Sequence, residues 1–124
     1  IAGYEWTKAI ESTLAVTTPT GDQDVRFKFV YSLQAPHLEL IEEAPGTIWT
    51  AQPATATHHL GFWVDDLAHA AAKLENAGYR QEARPAGDAL AMFAYYIDAA
   101  GTRVELVDRA LFGDWPGFLS AMAA

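Results

Sequence analysis

Two extended-looking stretches of this chain each carry a side chain able to ligate a metal or move a proton. The first is His58-His59-Leu60-Gly61-Phe62-Trp63-Val64-Asp65-Asp66, and the second is Gly101-Thr102-Arg103-Val104-Glu105-Leu106-Val107-Asp108-Arg109. Side chains alternate along a strand, so His59, Gly61 and Trp63 share one face and Leu60, Phe62 and Val64 share the other. The second face is apolar throughout and is expected to lie on a hydrophobic core. His59 then faces away from that core beside a glycine that clears space, and His58 points to the opposite side as a rim residue. In the second stretch Val104 and Leu106 form the apolar face, while Arg103, Glu105 and Val107 form the other. An imidazole and a carboxylate raised from a packed layer could bind a divalent cation or serve as acid and base. A third stretch, His37-Leu38-Glu39-Leu40-Ile41-Glu42, places His37, Glu39 and Ile41 on one face. A carboxylate there is costly on a buried face without a partner, and a metal, Lys28 or Arg103 could be that partner. Arg103 suits either a substrate carboxylate or enolate or a local ion pair. Trp49, Trp63 and Tyr95 suit the walls of a pocket or ordinary packing.

The elements that must position these groups follow from pattern. Ile1-Ala2-Gly3-Tyr4 looks like a helix end running into a glycine stop. Ser12 to Thr18 reads as a strand closed by the turn cluster Pro19-Thr20-Gly21-Asp22. Val25, Phe27, Phe29 and Tyr31 alternate with Arg26 and Lys28, the pattern of a half-buried strand. Residues 43 to 57 look like a loop containing Pro45, Gly46, Trp49 and Pro53. After the His58 strand, Asp65 or Asp66 can cap a helix on which Leu67, Ala70, Ala71, Leu74 and Ala77 recur, with Gly78 as its stop and His69 facing solvent. Tyr79 to Glu82 is a short strand, 83 to 90 a loop, and Ala91 to Asp98 a buried strand. Residues 58 to 109 therefore run β-α-β-β-β, and 1 to 42 run (helix end)-β-β-β. The tail from 110 to 124 ends in a short helix.

The chain has 124 residues, half of them hydrophobic, which fits one domain with a real core. No apolar run reaches the roughly 18 residues of a membrane span. Sixteen carboxylates against eight Lys and Arg leave a formal charge of −8. Nucleic-acid binding, which depends on basic patches, is not expected. The absence of cysteine removes disulfides, thiolate ligands and cysteine nucleophiles. Any metal here would be held by N and O donors, which suits Zn, Ni, Co, Mn or Fe.

HHLGFWVDDL, the following helix ending in AGY, and YYIDAAGTRVELVDR together resemble the vicinal-oxygen-chelate superfamily. Its members include glyoxalase I, methylmalonyl-CoA epimerase, fosfomycin-resistance enzymes, extradiol dioxygenases and bleomycin-resistance proteins. HLELIEEAPGTIW, 37 to 49, is similar to the last strand of the first module in the glyoxalase-like branch. The resemblance implies an α+β fold, with paired βαβββ modules forming a U-shaped mixed sheet around a central pocket, plus the C-terminal helix. One domain, 1–124, would hold an incomplete first module (1–52), a second module (57–109) and the tail (110–124). The first strand and most of the first helix of the family pattern have no counterpart here. Carried over by motif, His59, Glu105 and Glu39 match metal ligands, and Glu39 or Glu105 is the candidate catalytic base. The ligand on the family's first strand has no match, and His37 is its best substitute. The activity implied is that of a divalent-metal-dependent lyase or isomerase acting on a small carbonyl compound through an enediolate or enolate. Arg103, Trp63, Trp49 and Tyr95 are the candidate substrate contacts. A metal-free protein that binds an antibiotic or aromatic ligand is the alternative, and an extradiol-type dioxygenase the third reading. A cytoplasmic homodimer with a small-molecule substrate, no nucleic acid and no membrane completes the expectation.

Overall fold

In the structure, a computed structural model describing residues 3–52 and 57–124, the chain is α+β. Its elements are β1 (Ile10–Thr18), β2 (Gly21–Tyr31), β3 (Glu39–Ile41), β4 (Leu60–Val64), α1 (Leu67–Asn76), β5 (Arg80–Pro85), β6 (Phe93–Ile97), β7 (Arg103–Asp108) and α2 (Trp115–Ala123). Ile1 and Ala2 of the expected helix end, and Pro53 of the expected loop, lie outside the described residues. The strands form one hydrogen-bonded sheet in the order β3-β2-β1-β5-β6-β7-β4. The sheet is mixed, because β4 runs parallel to β7 while β5, β6 and β7 pair antiparallel. By contacts the chain divides into two compact units. One comprises Ile1–Leu14, Val25–Thr50 and Phe112–Ala124, and the other Ala15–Asp24 and Ala51–Leu111.

The second of these units contains the β4-α1-β5-β6-β7 order read from the sequence. Asp66 caps α1 by accepting from the His69 backbone N–H at 3.0 Å, a bond worth about 1 kcal/mol. Gly78 ends the helix at φ +95°, a conformation that favours glycine. Leu67 and Ala71 of α1 pack on Ala94, Tyr96, Val104 and Leu106 of β6 and β7, with Val64, Ala70 and Leu74 at the margin. These are alternate residues of each strand, so one whole sheet face is committed to the helix. Fully burying a leucine contributes about 2 kcal/mol, which makes this layer the main support of the unit.

Two expectations change here. Leu60 and Phe62 do point to the helix-side face, since they pair with Val104 and Leu106, but they remain 54% and 50% exposed. β4 stands at the end of the strand order, so among the described residues it has one strand neighbour, and of its side chains only Val64 reaches the core cluster. The short strand expected at 79–82 instead extends to Pro85. Its second half has its own partner, because Val16 pairs with Pro85 and Thr17 with Arg84 on β1.

Tyr96 is 1% exposed, donates to Glu75 Oε1 at 3.3 Å and accepts from Gln81 Nε2 at 3.0 Å. Burial pushes its pKa above the ordinary value near 10, because the charged phenolate loses hydration. The fold therefore favours the neutral phenol. This stability is fully present below pH about 10 and is lost as pH rises from there through the raised folded value. Tyr96→Phe should be less stable at pH 8 by about 1 kcal/mol, yet decline less steeply above pH 10. Urea unfolding across that range checks both parts.

In the other unit, β2 and β3 pair antiparallel as Phe29↔Ile41, Val30↔Leu40 and Tyr31↔Glu39. Arg26 and Lys28 face solvent and Val25 is buried, as the alternation requires. The expected apolar face of 37–42 is not core: Leu40 is 55% exposed, and the strand is only three residues long. The buried Ser32 hydroxyl donates to the Gln34 carbonyl and accepts from the Leu38 N–H, which holds 33–38 as a bend. His37 lies in that bend rather than on the strand. The C-terminal helix forms as expected, capped by Asp114. Its Trp115 and Phe118 pack with Tyr31 and Phe112 in an aromatic cluster.

Candidate functional site

β4 and β7 lie side by side in register, with Gly61 opposite Glu105 and Trp63 opposite Val107; on β7's other flank Tyr95 pairs with Glu105. All five side-chain positions are on the face away from α1. His59 directly precedes β4, and its Nε2 lies 3.4 Å from Glu105 Oε1 with both side chains largely buried. The Tyr95 ring sits edge-on to the imidazole with centroids 5.0 Å apart, and Tyr95 is itself buried. His59 and Glu105, each singled out in the sequence, are neighbours in the fold.

The 3.4 Å separation is informative. A charge-assisted N–H···O bond is about 2.7–2.9 Å long. Two donors of one four-coordinate ion, each at about 2.0–2.1 Å from it, sit about 3.3–3.4 Å apart. The imidazole and carboxylate thus suit a shared divalent cation in donor type and in spacing. Gly61 leaves the approach open, but not critically. A Cβ there would meet Glu105 Oε1 at 3.8 Å, an ordinary contact. Gly61→Ala should leave the site intact and stabilise the strand by about 0.5 kcal/mol. Gly61→Leu should displace the carboxylate and weaken divalent-cation binding. Equilibrium unfolding and a metal-competition titration on the two variants test the pair.

Beside this pair lies a cluster that alternation does not foresee. Arg103, at 9% exposure, donates from Nε to Glu82 Oε1 at 2.6 Å and from Nη2 to Oε2 at 3.0 Å. Its Nη1 is 3.0 Å from His58 Nε2, and His58 Nδ1 is 2.9 Å from His59 Nδ1. Arg103 thus forms an ion pair, one of the two roles the sequence allowed it. His58, expected on the opposite rim, instead lies against His59 with ring centroids 5.1 Å apart. The strand begins only at Leu60, so alternation does not govern 58 and 59. Glu82 was missed because the β5–β6 register shifts between Gln81 and Ala83, and a bulge re-aims the intervening side chain.

The remaining candidates are placed as follows. Glu39 opens β3 opposite Tyr31 and is half-buried. His37 Nδ1 is 3.0 Å from the Ser32 carbonyl, and its ring is edge-on to Trp115. Trp49 is buried edge-on against Phe27 with centroids 4.8 Å apart. Trp63 is 38% exposed on β4.

A model of the Glyoxalase/Bleomycin resistance protein/Dioxygenase superfamily matches residues 1–96. The chain belongs to this superfamily. The matched stretch includes Glu39, His58 and His59 and ends before Arg103 and Glu105, so the assignment of β7 to the site stands on the register and distances above. No curated protein and no solved structure matches the chain. Members of the superfamily bind small molecules and often hold divalent metals. Among the described residues no helix is long and apolar enough to cross a membrane.

Proposed function

We propose that the chain is a divalent-metal-dependent lyase or isomerase of the glyoxalase/epimerase kind, acting on a small carbonyl compound through an enediolate or enolate. The observation that carries this reading is the largely buried His59–Glu105 pair, whose 3.4 Å separation suits two ligands of one ion better than a hydrogen bond. The reading takes Glu39, His59 and Glu105 as the ligands, one imidazole and two carboxylates. Such N and O donors suit Zn, Ni, Co, Mn or Fe. A bound ion would polarise the substrate carbonyl and stabilise the negative charge that develops on its oxygen. Glu39 or Glu105 is the base in this reading: it takes the proton from the carbon beside the carbonyl and returns it to a neighbouring position. Tyr95 buttresses the imidazole, and Trp63 offers apolar surface to the substrate. The shortage of basic residues disfavours polyphosphate-bearing substrates. The reading also takes the protein to work as a cytoplasmic homodimer.

Metal analysis of the purified chain after dialysis, followed by titration with each of these ions, tests the proposal. Near-stoichiometric binding, with deuterium exchange from D2O into carbons beside the carbonyl of small 2-oxo compounds, is the expected outcome. Less than about a tenth of an equivalent, with no binding on titration, would sink it and favour a metal-free binder of aromatic ligands.

A further inference from the structure

The His59–Glu105 pair is reached by an unbroken series of contacts that starts at Arg103. A guanidinium has donors only and keeps its charge. Arg103 Nη1 therefore donates across the 3.0 Å to His58, and His58 Nε2 accepts. A neutral imidazole carries one ring proton, so that of His58 must be on Nδ1. His58 Nδ1 faces His59 Nδ1 at 2.9 Å, and one proton lies between them, supplied by His58. His59 Nδ1 is then the acceptor. Its own proton is on Nε2, the nitrogen that faces Glu105 Oε1 at 3.4 Å. The guanidinium is held in place, because Glu82 grips Nε and Nη2 at 2.6 and 3.0 Å in a largely buried ion pair.

We propose that Arg103 is a positioning residue that acts through His58 to hold the proton of His59 on Nε2, the nitrogen a metal ion would have to use. The second half of this inference rests on the metal reading above; the first half does not. A cation held on Nε2 would require the His59 proton on Nδ1. His58 Nδ1 must then accept, its own proton moves to Nε2, and that proton meets the Arg103 N–H. Two donors face each other, and the Arg103–His58 hydrogen bond is lost. The cluster thus keeps the imidazole oriented while opposing cation binding, so the site exchanges its ion more readily than its ligands alone would allow.

Long-range 1H–15N correlation spectra of the metal-free chain at pH about 8 read the tautomers directly. The expected result is Nδ1–H on His58 and Nε2–H on His59. A His59 proton on Nδ1 overturns the proposal. His58→Asn places an amide beside His59 that can turn either its oxygen or its nitrogen toward Nδ1. Zinc or cobalt affinity, measured by competition with a chromophoric chelator, should then rise about tenfold, the worth of one retained charge-assisted hydrogen bond. Ordinary support of a ligand would give the opposite, a loss of about 10–100-fold, and that result also overturns the proposal. The paired replacement Arg103→Met with Glu82→Leu removes the donor without stranding a carboxylate, and it should let His58 and His59 populate both tautomers. If neither wild type nor His58→Asn binds a cation while the spectra show Nε2–H on His59, the metal reading fails and the tautomer assignment stands.

Discussion

His59→Ala should lose divalent-cation binding by more than about a hundredfold, a larger effect than the 10–100-fold typical of outer partners of a ligand. The imidazole is the nitrogen donor of the proposed set, and alanine leaves only carboxylates, which bind harder and more weakly selected cations. The fold should survive, because the side chain lies just before β4 and outside the α1 core cluster. A stability change within about 1 kcal/mol is expected. Competition with a chelating dye, run beside urea unfolding, separates the two effects. Glu105→Gln is the companion variant. It keeps the shape opposite Gly61 and Tyr95 and removes the negative charge, so binding should fall while the register of β7 is retained. A His59→Ala protein that holds its cation as tightly as the wild type would place the ion elsewhere and remove the basis of the proposed function.

Breaking the Arg103–Glu82 ion pair from one side should be the most destabilising single change in the β-face. Both side chains are largely buried, and the two hydrogen bonds at 2.6 and 3.0 Å form a bidentate fork. Arg103→Ala leaves the Glu82 carboxylate buried without its cation, and Glu82→Ala does the converse. Either should cost about 3–5 kcal/mol, because the stranded charge loses hydration with nothing in exchange. For a chain of this size that is a fall in Tm of roughly 10–20 °C. The apolar double replacement, Arg103→Met with Glu82→Leu, should recover most of the loss, since it strands no charge. Thermal unfolding of the two single variants and the double variant forms a cycle with a large coupling energy. Near-zero coupling would mean that water reaches the pair and that it behaves as a surface contact.

The elements with a strong period were legible in the sequence. The alternation of Val25 to Tyr31 and the helical recurrence from Leu67 to Leu74, with Asp66 before it and Gly78 after it, each reflect one local geometry repeated over several residues. The β-α-β-β-β order from 58 to 109 followed from these. Element ends were less legible. β5 runs to Pro85 because β1 offers it a second partner, and nothing in residues 83–85 announces that pairing. Leu60, Phe62 and Leu40 look like core residues by type, but they sit on β4 and β3, the two end strands of the order, where among the described residues no second strand covers them.

The amino-acid sequence by itself determined the superfamily, the α+β element order and the absence of thiolate donors. Each of these depends on residue type, local periodicity or a contiguous motif. Only the tertiary structure decided that His58 turns inward against His59 and that Glu82 reaches Arg103. Those outcomes depend on a bulge between Gln81 and Ala83 and on side chains 21 and 45 residues apart meeting at hydrogen-bond distance. Alternation along one strand cannot encode a register shift in another, because the shift is set by the pairing between strands.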